Sequence, residues 1–155
     1  MESGRWDPVV HEFGELLGAA SALERIAGRE LERRCGLRHA AFEVLLNLSR
    51  TSSNHPTMGE LADRLILTSG GMTRLIDRME NAGLVHRYTA PDDRRRQLVG
   101  LTEAGQAKLA EAVAVHTETL RRHFSGPLDD DAHRQLVEAL AILRSHAREE
   151  LGTLH

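Results

Sequence analysis

The chain has 155 residues, 41% of them apolar and 28% charged, and a formal net charge of −3. This length allows one domain with a core of its own, and the absence of any run of about 18 apolar residues leads us to expect no membrane partner. The first residues lack the apolar stretch of a signal peptide, and a single cysteine, Cys35, excludes an internal disulfide. We therefore expect a cytoplasmic protein. Its slightly acidic charge excludes a uniformly basic nucleic-acid coat but allows a local basic patch.

The first part of the chain predicts three helices. Apolar residues at helical spacing predict a long first helix over about 8–34, which Gly36 ends, and a second helix over about 38–49. A polar, turn-rich break follows. Thr57 and Glu60 then stand three residues apart at the start of an apolar pattern. That spacing is the signature of a capping box and predicts a third, short helix.

A fourth helix and a hairpin are predicted next. The helix begins at residue 68 or 69, runs to about 81 and is closed by Gly83. The segments 84–90 and 97–101 then predict two strands, joined by a turn over PDDR. Thr102 can cap a fifth helix that extends to about 124, and a last helix covers about 131–151.

The predicted order is four helices, a hairpin and two further helices, a mainly α fold with a small β-hairpin wing (α+β). A short helix, a tight turn, a second helix and a hairpin make up a winged helix-turn-helix. The second helix of such a unit is the one that lies in the major groove of DNA. Because the first and last helices are long and carry apolar stripes, we expect them to be dimerisation helices outside this unit.

Arginines are concentrated in the middle of the chain. Between residues 64 and 96, seven arginines face four acidic residues, a net charge of +3 in an otherwise acidic sequence. Three of them, Arg94, Arg95 and Arg96, follow two aspartates at the tip of the predicted hairpin. An arginine at this tip can enter a narrow minor groove, where the potential is most negative. A solvated loop without a partner is the alternative.

The stretch GELADRLILTSGGMTRLIDRMENAGLVHRYTAPDDRRRQLVGLTEAG resembles the winged helix of MarR-type transcriptional regulators. The matching pieces are ELA in the short helix, TRLIDRME in the next helix, AGLV before the strand, Asp93 and Arg95 in the wing, and LTEAG at the next helix. The preceding GLRHAAFEVLLNL also fits the family. The resemblance covers roughly 36–105, and the flanking helices match only in length and pattern.

The resemblance implies a homodimeric, sequence-specific regulator that binds double-stranded DNA at a pseudo-palindromic operator and acts as a repressor. Residues 1–36 and 123–155 would form the helical dimerisation region. Residues 37–122 would form the winged helix-turn-helix DNA-binding domain with its connecting helix. The alternative is that the terminal helices fold back on their own wing domain.

Several residues of the fourth helix are candidates for DNA contact. Ser69 and Thr73 can donate hydrogen bonds to phosphates, and Arg74 can bind a guanine or a phosphate with its forked guanidinium. Gly70 would let the backbone approach the groove, unless it only belongs to the turn. Arg78 can reach a phosphate or pair with a neighbouring acidic residue.

The wing and the short helix supply the other candidates. In the pattern implied by the resemblance, Asp93 braces an arginine of the tip, Arg94 or Arg95 inserts into the minor groove, and Arg96 contacts the backbone. Thr57 can contact a phosphate or act only as a helix cap.

The resemblance also implies a small aromatic or anionic effector, bound between the dimerisation helices and the wing domain, whose binding releases the operator. Phe13, Leu17, His39 and Phe42 are the candidate lining residues, although each could be ordinary core. Binding would favour a spacing of the two wing domains that no longer matches successive major grooves.

Enzymatic activity is not expected. The sequence has no HExxH or GxSxG motif and no glycine-rich phosphate loop, and no cofactor is implied. The alternatives are a zinc-responsive regulator that uses Glu43 and His116, with His39 and Cys35 nearby, or a helical ligand-binding protein without a DNA-binding role. Zinc needs three or four ligands, and no convincing set is evident in the sequence.

Overall fold

A computed structural model describes residues 7–51, 55–65 and 69–152 of the chain. It divides into two compact units, residues 1–117 and residues 118–155. Six α-helices and one hairpin are described: α1 Pro8–Cys35, α2 His39–Ser49, α3 Met58–Leu65, α4 Ser69–Asn81, β1 Val85–Thr89, β2 Gln97–Leu101, α5 Glu103–Leu120 and α6 Asp130–Gly152. The predicted fold class, mainly helical with a two-stranded wing, is confirmed.

The ends of α1 follow from its local sequence. Asp7 caps the helix, because its carboxylate accepts a hydrogen bond from the Val9 N–H at 3.0 Å, and Pro8 occupies the first turn, where no N–H is required. Gly36 ends the helix with a left-handed φ of 63°, and its N–H donates to the Glu32 carbonyl at 3.0 Å.

The predicted capping box starts α3. The Glu60 carboxylate accepts a hydrogen bond from the Thr57 N–H at 2.7 Å, and the Thr57 hydroxyl accepts one from the Glu60 N–H at 3.2 Å. Thr57 also forms an isolated antiparallel bridge with Leu98 of β2. The capping residue that precedes α3 therefore attaches the start of this helix to the hairpin.

The two strands form an antiparallel hairpin in which Val85 pairs with Leu101 and Thr89 pairs with Gln97. Its inner side is continuous with the core of the first unit. This core is made of buried side chains from five helices and both strands, among them Leu31, Phe42, Leu45, Leu61, Met72, Ile76, Val85, Val99 and Ala112. Truncation of such a residue to alanine typically costs about 3–5 kcal/mol, so the hairpin and α4 are fixed relative to α2.

The end of α5 differs from the prediction of a helix to about 124. The α-helix stops at Leu120, and residues Arg121–Ser125 form a π-helical turn in which the Gly126 N–H donates to the Arg121 carbonyl at 2.9 Å. Pro127 follows and has no N–H with which to continue an α-helical ladder. In the second unit, Asp129 then caps α6 by accepting a hydrogen bond from the Ala132 N–H at 2.8 Å.

Large apolar side chains are exposed on both long terminal helices. On α1 they are Val9, Val10, Phe13, Leu16 and Leu17, and on α6 they are Val137, Ile142, Leu143 and Leu151. By contrast, Ala27, Leu31 and Cys35 of α1 are buried. No helix in the described parts of the chain is long and apolar enough to cross a membrane.

Candidate nucleic-acid interface

Helix α4 has one buried and one exposed face. Met72, Leu75, Ile76 and Met79 are buried in the core, which leaves Gly70, Thr73, Arg74, Asp77 and Arg78 on the exposed face. The Arg74 guanidinium lies back along the first turn, where its Nε donates to the Gly70 carbonyl at 3.2 Å. Ser69 is the first residue of the helix, and its side chain lies outside what the structure describes. The predicted contact residues of α4 whose side chains are described therefore share one accessible face of this helix.

The tip of the hairpin is a turn organised by Asp93. Its carboxylate accepts a hydrogen bond from the Arg95 N–H at 2.9 Å, and its carbonyl accepts one from the Arg96 N–H at 3.0 Å. The Arg95 side chain is 95% exposed, with its Nε 3.9 Å from the Asp93 carboxylate, and Arg96 lies 3.9 Å from Asp92. Arg94 is exposed and has no ion-pair partner among the described residues. Two guanidinium groups thus project from a rigid turn.

An arginine that the sequence does not single out connects the hairpin to α4. Arg87 of β1 donates to Glu80 Oε2 through Nη1 at 2.6 Å, and its N–H donates to Glu80 Oε1 at 2.9 Å. Its other terminal nitrogen donates to the Asp77 carboxylate. The hydrogen bond with Asp77 raises the pKa of Arg87, burial opposes this, and the charges of Asp77 and Glu80 raise it further. Arg87 is therefore neutralised internally and positions α4 against the wing.

The candidate effector residues fall into two groups. Phe13 and Leu17 are exposed on the N-terminal part of α1, whereas Phe42 is only 1% exposed and belongs to the core. The ring of His116 on α5 lies 4.8 Å from that of Phe42 and 6.3 Å from that of His39. His39 in turn lies 3.6 Å from Glu24 and 3.8 Å from Glu43.

The surroundings of His116 favour its neutral form. Burial lowers its pKa, the nearby His39 lowers it further, and Glu43 opposes both effects. Its Nδ1 is buried without a hydrogen-bond partner in the described structure. Among the described residues, no group of three or more histidine, cysteine, aspartate and glutamate side chains is placed to hold a metal ion. The zinc hypothesis built on Glu43 and His116 therefore gains no support.

Two of the open cavities in the first unit bear on the effector hypothesis. One of about 620 Å³ is bounded by α1 and the start of α2, and its lining residues are Ser21, Glu24, Arg25, Gly28, Arg29, Glu32, Arg38 and His39. Another of about 570 Å³ is more apolar, and its lining residues are Leu48, Ser49, His55, Leu101, Gln106, Leu109, Ala110 and Val113. Both volumes suit a small molecule. Only His39 among the predicted lining residues borders the first cavity.

The chain resembles the members of one known family in sequence and in fold. The model of the MarR family matches residues 36–96. The structure is similar to that of AbsC, a MarR family transcriptional regulator from Streptomyces coelicolor, with a TM-score of 0.80 and 29% identity over 94% of this chain and 99% of that one. It also resembles Sco3205, a MarR family transcriptional regulator from the same organism in complex with DNA, with a TM-score of 0.76 and 26% identity over 87% and 88% of the two chains.

Proteins related to this chain in sequence are transcriptional regulators as well. An HTH-type transcriptional regulator of Bacillus cereus is 29% identical over 121 residues, which is 78% of this chain and 79% of that protein. MarR family members are transcriptional regulators, not enzymes. The MarR family model thus matches the winged-helix region of the chain, residues 36–96, and the chain as a whole has the fold of MarR-family transcriptional regulators.

Proposed function

We propose that this protein is a dimeric transcriptional regulator that binds a pseudo-palindromic DNA operator, acts as a repressor in the cytoplasm and releases the operator when a small aromatic anion binds. The observation that carries the DNA-binding part is the pair of exposed guanidinium groups at the wing tip, Arg94 and Arg95, on a turn braced by Asp93. In the same unit, α4 offers an exposed face with Thr73, Arg74 and Arg78.

The arrangement fits the two grooves of duplex DNA. A helix with exposed polar and basic side chains can enter the major groove, while an arginine at a hairpin tip can reach the adjacent minor groove. The Arg87 ion pairs keep these two elements in a fixed relation, so that both can bind without a large ordering cost. The DNA complex of the similar regulator Sco3205 supports the proposal.

Titration of the purified protein with fluorescently labelled DNA from its own upstream region tests this function. We expect tight, sequence-dependent binding by fluorescence anisotropy, with an affinity that falls steeply as salt is raised. A scrambled duplex of the same composition serves as the control and should bind at least about a thousand-fold more weakly. Equal, weak binding to both duplexes would contradict a role at this operator.

The exposed apolar side chains of the terminal helices support the dimer. Phe13 and Leu17 of α1 are 59% and 52% exposed, and Ile142 and Leu143 of α6 are 70% and 54% exposed. On each of the two helices, a group of exposed apolar side chains of this kind indicates an interaction site. We therefore propose that residues 1–36 and 123–155 form the dimerisation region and that residues 37–122 form the DNA-binding domain with its connecting helix.

Two charges placed on the α1 surface test the dimer. The variant Phe13→Asp/Leu17→Asp should be a monomer at micromolar concentration, because carboxylates buried between two apolar helices would remain unpaired. Light scattering after size exclusion measures the mass. The exposed Glu12→Gln change on the same helix is the control and should remain dimeric. A double variant with the mass of the wild-type dimer would contradict this interface.

The cavity beside His39 supports an anionic effector. Arg25, Arg29 and Arg38 line it together with His39 and outnumber the two carboxylates, Glu24 and Glu32, and arginine binds carboxylates in a bidentate manner. Phe13 and Leu17 remain proposed contacts, which would require the partner subunit to bring them to the effector, whereas the buried Phe42 would act only from the core behind His39. Aromatic carboxylates added to the protein–DNA complex should lower the anisotropy, and Arg29→Ala should abolish that response while DNA binding persists. An unchanged response in Arg29→Ala would exclude this cavity as the effector site.

A further inference from the structure

Three side chains with metal-binding donor atoms meet at the base of the hairpin. His86 and Tyr88 lie on β1, and because successive residues of a strand point to opposite faces, they share one face while Arg87 points to the other. The Tyr88 ring is stacked on His86 with 5.4 Å between the centroids and meets His55 edge-on at 5.6 Å. His55 Nδ1 is hydrogen-bonded to the Tyr88 hydroxyl. The cluster is therefore separate from the α4 side of the wing.

The two histidines converge above Gly100, which pairs with His86 in the hairpin. A Cβ atom on residue 100 would lie 3.0 Å from Cε1 of His55, 3.0 Å from Cε1 of His86 and 3.1 Å from Nδ1 of His55. A side chain there would push the imidazoles apart, whereas glycine lets both ring edges approach one point. His86 is exposed, so an ion can reach the cluster from solvent.

We propose that His55, His86 and Tyr88 form a binding site for a divalent transition-metal ion, with Cu²⁺ bound most tightly. Imidazole suits copper, zinc and nickel, and copper has the highest affinity of the series for nitrogen and oxygen donors. The third donor atom is the phenolic oxygen of Tyr88. The cluster therefore differs from a site made of histidine, cysteine and carboxylate ligands.

The ion takes the place of the proton shared by His55 Nδ1 and the Tyr88 hydroxyl. The phenol releases that proton to solvent, its oxygen binds the metal as a phenolate, and the two neutral imidazoles each donate a nitrogen lone pair. Water fills the remaining positions. Binding thus releases one proton and becomes tighter as the pH rises. It also joins His55, in the segment that precedes α3, to the first strand of the wing.

Copper titration of the full-length protein tests the site. After treatment with a chelator and desalting, calorimetry with Cu²⁺ should show one tight site per chain, and visible absorption should show a phenolate-to-copper charge-transfer band. His86→Ala should weaken the tight site by about 10–100-fold or more, since removal of a direct ligand costs more than removal of a residue that only orients one. Tyr88→Phe should remove the band. His146→Ala, at an exposed position on α6, is the matched control and should retain both.

Unchanged affinity in His86→Ala, an equal loss in His146→Ala, or wild-type protein without the charge-transfer band would each overturn the proposal. Circular dichroism of every variant establishes that it is folded. His86 is exposed, so its truncation leaves the core intact. If Tyr88→Phe does not fold, the wild-type band and the affinity of His86→Ala still decide the question.

Discussion

At the base of the hairpin, Arg87 forms ion pairs with two carboxylates, whereas at the tip Arg94 and Arg95 extend into solvent. The Nε of Arg95 lies 3.9 Å from the carboxylate of Asp93, which is too far for a strong hydrogen bond. The same residue type therefore has two roles within one hairpin. A guanidinium whose hydrogen bonds are satisfied internally contributes to the position of α4 and has little left to offer a ligand. A guanidinium on a rigid turn without strong partners is available for phosphate or for a groove of DNA.

The largest effect, on the affinity for the operator, should come from the arginines at the tip of the hairpin. Removal of both exposed guanidinium groups in Arg94→Ala/Arg95→Ala should weaken operator binding about 100-fold, since each arginine contact contributes about 1–3 kcal/mol. The free energy of unfolding should change by less than about 0.5 kcal/mol, because neither side chain packs against the protein. Anisotropy and urea unfolding measure the two quantities. A loss of stability that matches the loss of affinity would show that the tip is structural.

A smaller effect, on the free energy of unfolding, should come from Arg87 at the base of the hairpin. Arg87→Ala leaves the Asp77 and Glu80 carboxylates next to each other without a cation, and we expect the free energy of unfolding to fall by about 1–2 kcal/mol, given that solvent partly screens these groups. Operator affinity should fall as well, because α4 and the wing are no longer fixed together. Arg78→Ala, on the exposed face of α4, is the control for stability. Wild-type stability in Arg87→Ala would contradict the structural role.

The smallest effect should be the pH response of the α3 cap. The hydrogen bond from the Thr57 N–H lowers the pKa of Glu60, and Arg96 and Arg64 lower it further, while burial opposes them. Because the folded pKa is below the unfolded one, the stabilisation is complete above about pH 4.3 and is lost as the pH falls through the folded pKa. The stability difference between wild type and Glu60→Gln should therefore shrink below that pH. A difference that stays constant down to about pH 3 would contradict the assignment.

Features set by neighbouring residues could be predicted from the sequence. The Thr57–Glu60 capping box, the helix end at Gly36 and the strand 97–101 depend on residues at most a few positions apart, and the structure has all three. The arginine-rich turn before that strand was evident for the same reason. These local signals, together with the resemblance, were sufficient for the winged-helix arrangement.

Features that depend on tertiary contacts could not be predicted. Arg87 counted only as one of seven arginines, because its partners lie seven and ten residues away on another element. The His55–Tyr88 hydrogen bond spans 33 positions and has no local signature. The π-helical turn at Arg121–Ser125 interrupts a segment whose apolar spacing is that of a plain helix. Contacts with DNA by Ser69, Thr73, Arg74 and the wing arginines remain predictions.

The salt dependence of operator binding tests whether the wing-tip arginines bind DNA phosphates or the minor groove, as we propose. Anisotropy titrations at several salt concentrations give the slope of log affinity against log salt for wild type and for Arg94→Ala/Arg95→Ala. We expect the slope of the double variant to be shallower by about one unit for each phosphate that the protein no longer neutralises. Equal slopes and equal affinities for the two proteins would contradict the claim.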